Sequence, residues 1–256
     1  MSRLLGRRVA LVTGASRGLG LAICRRFAAE GAAGTAFDLP GAEAEATAAL
    51  PHGFAFAGGD VRDEDALAAA VADTVDRHGR LDILVANAGL VPPWRETEAL
   101  DFDEWDRVMA VNVRGVAAAL KQAIPALKAA GGGTVVAMAS VNAVVAHPRQ
   151  MLYTASKHAV LGIVRAAARD LGRHGIRVNG LAPGPIATEA LVARIAARAE
   201  NGTGPASDAA LDSFAAATAL GRLATVDDVA KAALFLACDL SSGITGALLP
   251  VDAGLA

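Results

Sequence analysis

Tyr153 and Lys157 stand four residues apart in the stretch Tyr-Thr-Ala-Ser-Lys, with Ser140 thirteen residues upstream of the tyrosine. At i and i+4 on a helix the two side chains share one face. An ammonium there favours the phenolate, lowering the phenol's pKa toward neutrality and making it a usable acid/base. Asn112 lies between Val111 and Val113 inside a helical pattern, where a buried amide needs partners. Each residue alone has a structural use: Ser140 as a cap, Tyr153 as a boundary aromatic, Lys157 as a solvated charge, Asn112 as a satisfied core amide. Tyr153 is the only tyrosine of the chain. Taken together, the four residues point to proton transfer.

A second motif supplies a place for a nucleotide. The apolar run 9–12 enters residues 13–20, Thr-Gly-Ala-Ser-Arg-Gly-Leu-Gly. Glycines between a strand and a helix allow a tight turn and aim helix N–H groups at phosphate. The spacing has one residue more between the first two glycines than G-x-G-x-x-G, and the physics is the same. A glycine turn can also be purely structural. Asp38 ends the next apolar run, eighteen residues after Gly20. A carboxylate there can accept from adenosine ribose hydroxyls and would repel a 2′-phosphate, which favours NAD over NADP. Arg17 argues the other way, as a cation able to pair with a 2′-phosphate; strand-end placement gives Asp38 more weight. Asp38 could also be a cap before Pro40. Proton transfer beside a dinucleotide means hydride chemistry.

Composition narrows the class. Of 256 residues, 54% are apolar and 20% charged, so a full core is available. The net charge is −2 and no basic, aromatic-laced patch occurs, which argues against a nucleic-acid partner. No apolar stretch reaches spanning length, so no membrane role is expected. The start, with Arg3, Arg7 and Arg8, lacks a signal-type apolar region, and a cytoplasmic location is expected. Cys24 and Cys238 are far apart in apolar helical contexts, as buried reduced thiols would be. The histidines at 52, 78, 147, 158 and 174 show no metal-ligand spacing, so no metal is expected. Ser140 with His147 is no hydrolase pair, because the sequence around Ser140 is no nucleophile elbow. His158 follows Lys157 and would point away from the face shared with Tyr153.

The elements that must hold these residues follow a βαβ rhythm. Strand-like runs fall at 9–12, 34–37, 54–57, 83–86, 134–138, 177–181 and 248–251, several of them unbroken apolar runs suited to strands buried on both faces. Helical patterns fall near 19–30, 63–78, 103–129, 152–173 and 227–238, with Asp63 and Asp103 as expected N-caps and glycines 131–133 ending one helix. This is the doubly wound α/β pattern: one Rossmann domain over 1–256, a parallel sheet of about seven strands with helices on both faces. Ser140 then follows a strand's C-terminal end, where such sheets bind ligands. Residues 184–225 break the rhythm, with Pro185, Gly202, Gly204, Pro205 and helical pieces near 189–200 and 208–217. Such an insert is a substrate loop or lid, or a plain surface excursion.

With these residues in place, the chain resembles the short-chain dehydrogenase/reductase family over nearly all its length. The matching pieces are residues 13–20, Asp60-Val61, Asn87-Ala88-Gly89, Asn112, Ser140, Tyr153-x3-Lys157, Asn179, Pro183-Gly184 with Thr188, and Val251-Asp252-Ala253-Gly254. The resemblance implies that Gly14, Ser16, Arg17, Gly18, Leu19 and Gly20 hold the pyrophosphate, with Asp38 and Leu39 at the ribose. It implies adenine contacts for Asp60 and Val61, and for Asn87, Ala88 and Gly89 a place along the adenosine ribose and in stabilising the sheet. Tyr153 would be the acid/base. Lys157 would bind the nicotinamide ribose and lower the tyrosine's pKa, Ser140 would bind the substrate oxygen, and Asn112 would hold a relay water. Pro183, Gly184, Ile186 and Thr188 would secure the nicotinamide, and the assembly would be a homotetramer. Two departures occur: Asp-Ala-Gly at 252–254 where Asp-Gly-Gly is usual, and Ala86 where a second asparagine is common.

The expected activity is hydride transfer between NAD(H) and a secondary alcohol or ketone, including a polyol, sugar or cyclic alcohol. Alternatives are an NADPH-dependent 3-oxoacyl-carrier-protein reductase, which Asp38 argues against, and a non-catalytic NAD sensor, which need not keep all four proton-transfer residues. Candidate substrate contacts are residues 91–94, ending at Trp94, with Asn142, His147, Gln150, Pro185 and the insert 189–217; Trp94 could equally be a core aromatic.

Overall fold

The computed structural model describes residues 3–200 and 207–255. Seven strands form one sheet: β1 (Val9–Thr13), β2 (Ala33–Asp38), β3 (Phe54–Gly58), β4 (Ile83–Ala86), β5 (Gly133–Met138), β6 (Ile176–Pro183) and β7 (Leu248–Val251). The order is β3-β2-β1-β4-β5-β6-β7, and every pairing is parallel. The order reverses between β1 and β4, and the crevice at the C-terminal ends of these strands is where such sheets take ligands.

The helices among the described residues are α1 (Gly18–Ala29), α2 (Glu43–Ala49), α3 (Glu64–His78), α4 (Phe102–Met109), α5 (Gly115–Ala129), α6 (Met151–Leu171), α7 (Glu189–Glu200), α8 (Ser207–Ala216) and α9 (Val226–Ala237). They divide between the faces as side-chain alternation along the strands requires. Leu11, Leu84, Val135 and Val178 face one way and pack with Leu67 of α3, Leu120 of α5 and Val160 of α6. Ala10, Val12, Ile83, Val85 and Val136 face the other and pack with Ile23 and Phe27 of α1 and Val229 and Ala233 of α9.

The expected strands are all present, most lengthened by a residue or two. Asp63 caps α3 as expected, accepting from Asp65 N at 2.9 Å and Ala66 N at 3.2 Å. Three details differ. The expected single helix 103–129 is α4, a π-helical turn (Ala110–Arg114) and α5. Its N-cap is Asp101, not Asp103: the Asp101 carboxylate takes both the Asp103 and Glu104 amides. A short stretch, Pro40–Ala42 and then α2, follows Asp38 where no helix was expected, because its alanines and glutamates show no clear apolar period. The two helical pieces of the insert are α7 and α8; Gly202, Gly204 and Pro205 lie outside the described residues.

Candidate active site

The glycine turn joins β1 to α1. Gly14 and Gly18 have φ of 64° and 55°, the left-handed region that favours glycine. A Cβ on Gly20 would come within 2.1 Å of the Gly14 carbonyl oxygen, so only glycine lets α1 start this close to β1. A Cβ on Gly18 would meet nothing within 4 Å, so that part of the turn is open to an approaching ligand. Asn87, just past β4, clamps the turn by donating to the carbonyls of Thr13 and Gly14, both at 2.9 Å. The Thr13 hydroxyl accepts in return from the amides of Asn87 and Ala88.

Asp38 closes β2 beside this turn. Its Oδ2 accepts from the Ser16 amide at 2.9 Å and the Ser16 hydroxyl at 2.6 Å, and its Oδ1 accepts from the Leu39 amide. Arg17 is exposed, and so is Leu39. After β3, Asp60 is held by Arg62 through a forked pair, which lowers the carboxyl's pKa, and Val61 is buried against Gly115.

The proton-transfer residues lie at the same edge of the sheet. Ser140 follows β5 and caps a short 3-10 turn (Val141–Ala143); its hydroxyl lies 3.5 Å from the Pro183 carbonyl at the end of β6. Tyr153 and Lys157 share the first turns of α6. Lys157 is buried, donates to the Met138 carbonyl at 2.8 Å, and sits 5.6 Å from the Tyr153 ring centroid. Burial lowers its pKa from 10.5 to about 8. For Tyr153 the balance differs from the expectation. Burial raises the phenol's pKa, while the Ser140 hydroxyl and the charge of Arg194 work against that rise. Loss of hydration at the phenol outweighs the neighbouring dipoles and charges.

Asn112 sits fully buried in the π-helical turn, a local widening that often marks functional sites. Its amide pairs with the backbone of Leu90, accepting from the N–H at 2.7 Å and donating to the carbonyl at 2.8 Å. It also donates to Ser156 of α6, whose hydroxyl donates to the Tyr153 carbonyl. The segment 87–90 therefore links the glycine turn to α6. A Cβ on Gly89 would lie 3.4 Å from Asn112 Oδ1 and 3.7 Å from Lys157 Nζ.

Beyond β6, Gly184 packs against Asp252, where a Cβ would meet the Asp252 Cβ at 2.8 Å. Ile186 is buried and bridges to Ala224. The Thr188 hydroxyl accepts from the Leu191 amide at the start of α7. Asn179 is a brace within β6, tied to Ile244 and Ala247. The chain also resembles known proteins over nearly its whole length. A family model described as enoyl-(acyl carrier protein) reductase covers residues 14–256. "Short-chain dehydrogenase reductase 5" of Arabidopsis thaliana is 39% identical over 98% of this chain and 95% of that protein. The chain belongs to the short-chain dehydrogenase/reductase family. It is thus an oxidoreductase of a family that uses nicotinamide cofactors. A cis-4-hydroxycyclohexanecarboxylate dehydrogenase of Sinomonas cyclohexanicum is 37% identical over 99% of this chain and 98% of that protein. The solved carveol dehydrogenase of Mycobacterium avium, in complex with NAD, superposes with a TM-score of 0.92 at 33% identity, covering 100% of this chain and 99% of that one.

On the substrate side the expected contacts divide. Trp94, Gln150 and Tyr153 line one cleft with Val91, Arg149 and Met151. Asn142 is instead buried, its amide donating to Gln150 Oε1 at 3.0 Å and Thr154 Oγ1 at 3.2 Å. His147 and Pro185 are partly buried, and His158 is exposed, its ring nitrogen 3.0 Å from the Thr154 carbonyl. Sequence reasoning missed Arg149, and within the insert 189–217 it did not single out Arg194 and Arg198, beside Trp94 and Tyr153. The available signal was the Arg194/Arg198 pair at i and i+4 in an otherwise alanine-rich stretch. Among the described residues no cluster of His, Cys, Asp or Glu could hold a metal, and no helix is long and apolar enough to cross a membrane.

Proposed function

We propose that the chain is an NAD(H)-dependent dehydrogenase/reductase of secondary alcohols and ketones, acting as a single domain with Tyr153 as its acid/base. The observation that carries this is the placement of Ser140, Tyr153 and Lys157 at the strand-end edge that also bears the glycine turn, with segment 87–90 joining them. The turn fits a dinucleotide: Gly18 leaves it open, and the amides of α1's first turn are available to phosphate. Asp38 and Leu39 would hold the adenosine ribose, Asp60 and Val61 the adenine, and Pro183, Gly184, Ile186 and Thr188 the nicotinamide. When bound, the nicotinamide supplies the hydride acceptor for oxidation and the donor for reduction.

The chain's own residues then move and stabilise a proton. In reduction, Tyr153 donates its phenolic proton to the carbonyl oxygen, and Ser140 donates a hydrogen bond to the same oxygen as charge develops there. A phenol whose pKa burial raises is protonated and ready for that role. In oxidation Tyr153 takes the hydroxyl proton, and the Lys157 ammonium beside it stabilises the phenolate. Glycine at 89 leaves a point within reach of both Asn112 Oδ1 and Lys157 Nζ, suited to a water that relays the proton outward. The buried free thiols Cys24 and Cys238 suit a reducing cytoplasm, and the family resemblance supports a homotetramer.

The activities of these relatives, on a hydroxycyclohexane acid and on carveol, support cyclic alcohols as substrates. A panel of cyclic secondary alcohols, followed by NADH absorbance, is expected to show turnover with NAD. NADH is expected to bind at least about tenfold more tightly than NADPH, because a 2′-phosphate would face the Asp38 carboxylate, and tenfold needs only about 1.4 kcal/mol. Tighter binding of NADPH would overturn the NAD assignment. Absence of turnover across the panel with either nucleotide would count against the enzyme reading.

A further inference from the structure

The cleft holds more positive charge than proton transfer uses. Arg198 of α7 lies over the Trp94 ring at 4.0 Å, and Arg149 approaches the same ring at 5.9 Å. Arg194 precedes Arg198 by four residues, so both project from the α7 face that meets Trp94. Trp94 and Tyr153 line the same cleft, and the charge of Arg194 acts on the Tyr153 phenol. Arg194 therefore shares a helix face with the guanidinium that covers Trp94, and lies within electrostatic reach of the Tyr153 phenol.

The neighbouring cations are engaged. Arg149 pairs with Glu96 at 3.8 Å, Arg95 holds Glu104 at 3.0 Å, and Arg198 stacks on Trp94. Arg194 is partly buried, and among the described residues it has no carboxylate or hydrogen-bond partner. A guanidinium stays charged in proteins, and drawing one out of water without a partner is unfavourable until an anion meets it. Of the remaining wall, Glu104 is already held by Arg95 and Gln150 is the other polar side chain; the rest is apolar, with Val91 and Met151 exposed and Pro92 and Pro93 beside them.

Building on the alcohol/ketone reading, we propose that the substrate joins a carboxylate to an apolar, ring-sized body, and that Arg194 binds the carboxylate while Tyr153 and Ser140 take the reacting oxygen. The planar fork of a guanidinium matches a carboxylate in two parallel hydrogen bonds. Arg194 is then the residue that selects hydroxy or oxo acids over neutral alcohols.

Two unreactive probes test this on the protein saturated with NADH: cyclohexanecarboxylate and cyclohexanecarboxamide, titrated by calorimetry. The acid is expected to bind at least about tenfold more tightly than the amide, about 1.4 kcal/mol, because its charge makes two charge-assisted hydrogen bonds to the guanidinium. In Arg194→Met the ratio falls to near one, and Arg194→Lys retains part of it. Equal affinities in the wild type, or a preference that survives in Arg194→Met, overturn the proposal. A loss of NADH affinity in Arg194→Met assigns the residue to the cofactor's phosphates and also overturns it. Neither probe can be oxidised to a ketone, so this result stands apart from the turnover panel that tests the dehydrogenase reading.

Discussion

The chemistry of this site rests on two titrating side chains whose burial works in opposite senses. Burial holds Lys157 toward its neutral form and Tyr153 toward its protonated one. For Lys157 the folded pKa, about 8, lies below the unfolded 10.5, so between these values the unfolded chain binds more protons. Stability therefore rises with pH across that window, and the full cost of burying the charge, about 3 kcal/mol, is felt below pH 8. The stability of Lys157→Met relative to wild type, from urea unfolding, is expected to be highest and flat below pH 8 and to fall between pH 8 and 10. A difference that does not change with pH would contradict the burial. At this scale the sequence was informative where spacing along one helix sufficed, as for Tyr153 and Lys157. It pointed to the insert as a whole and did not single out Arg194, because what a side chain there faces is set by where the insert folds. Gln150 and Asn142 look like free substrate contacts in sequence, yet they hydrogen-bond each other.

The elements add constraints that no local pattern reveals. In sequence the stretch from 103 to 129 reads as one helix, because its composition stays helix-forming across the π-helical turn. That turn lets the Asn112 amide pair with Leu90 as a neighbouring strand would. In sequence Asp103 reads as the cap as readily as Asp101, because both are aspartates within one turn and only backbone geometry separates them. The turn after β7 shows the reverse, a sequence departure with a readable structural cost. Ala253 has φ of 58°, a conformation that costs a non-glycine residue about 1 kcal/mol. Ala253→Gly is expected to stabilise the protein by up to about 1 kcal/mol, read as a raised thermal midpoint. An unchanged or lowered midpoint would show that the added freedom of the unfolded chain offsets the relieved strain.

For the molecule as a whole, the strand sequence and the alternation of β and α elements were enough to indicate a parallel sheet with two covered faces. The position of the order reversal was not in the sequence, because it depends on which strands pair across long crossovers. That reversal separates two halves. β1 to β3 carry the glycine turn, Asp38 and Asp60; β4 to β6 carry Asn87, Ser140 and the backbone that holds Lys157. Nucleotide binding and proton transfer should therefore be separable by mutation. Tyr153→Phe removes one hydroxyl and leaves the glycine turn and Asp38 untouched. With an alcohol that the wild type oxidises, this variant is expected to lose at least about a hundredfold in kcat, the low end of what a positioned acid/base supplies, while its NADH dissociation constant stays within about threefold. A kcat close to wild type, with NADH still bound, would contradict the assignment of Tyr153 as the acid/base.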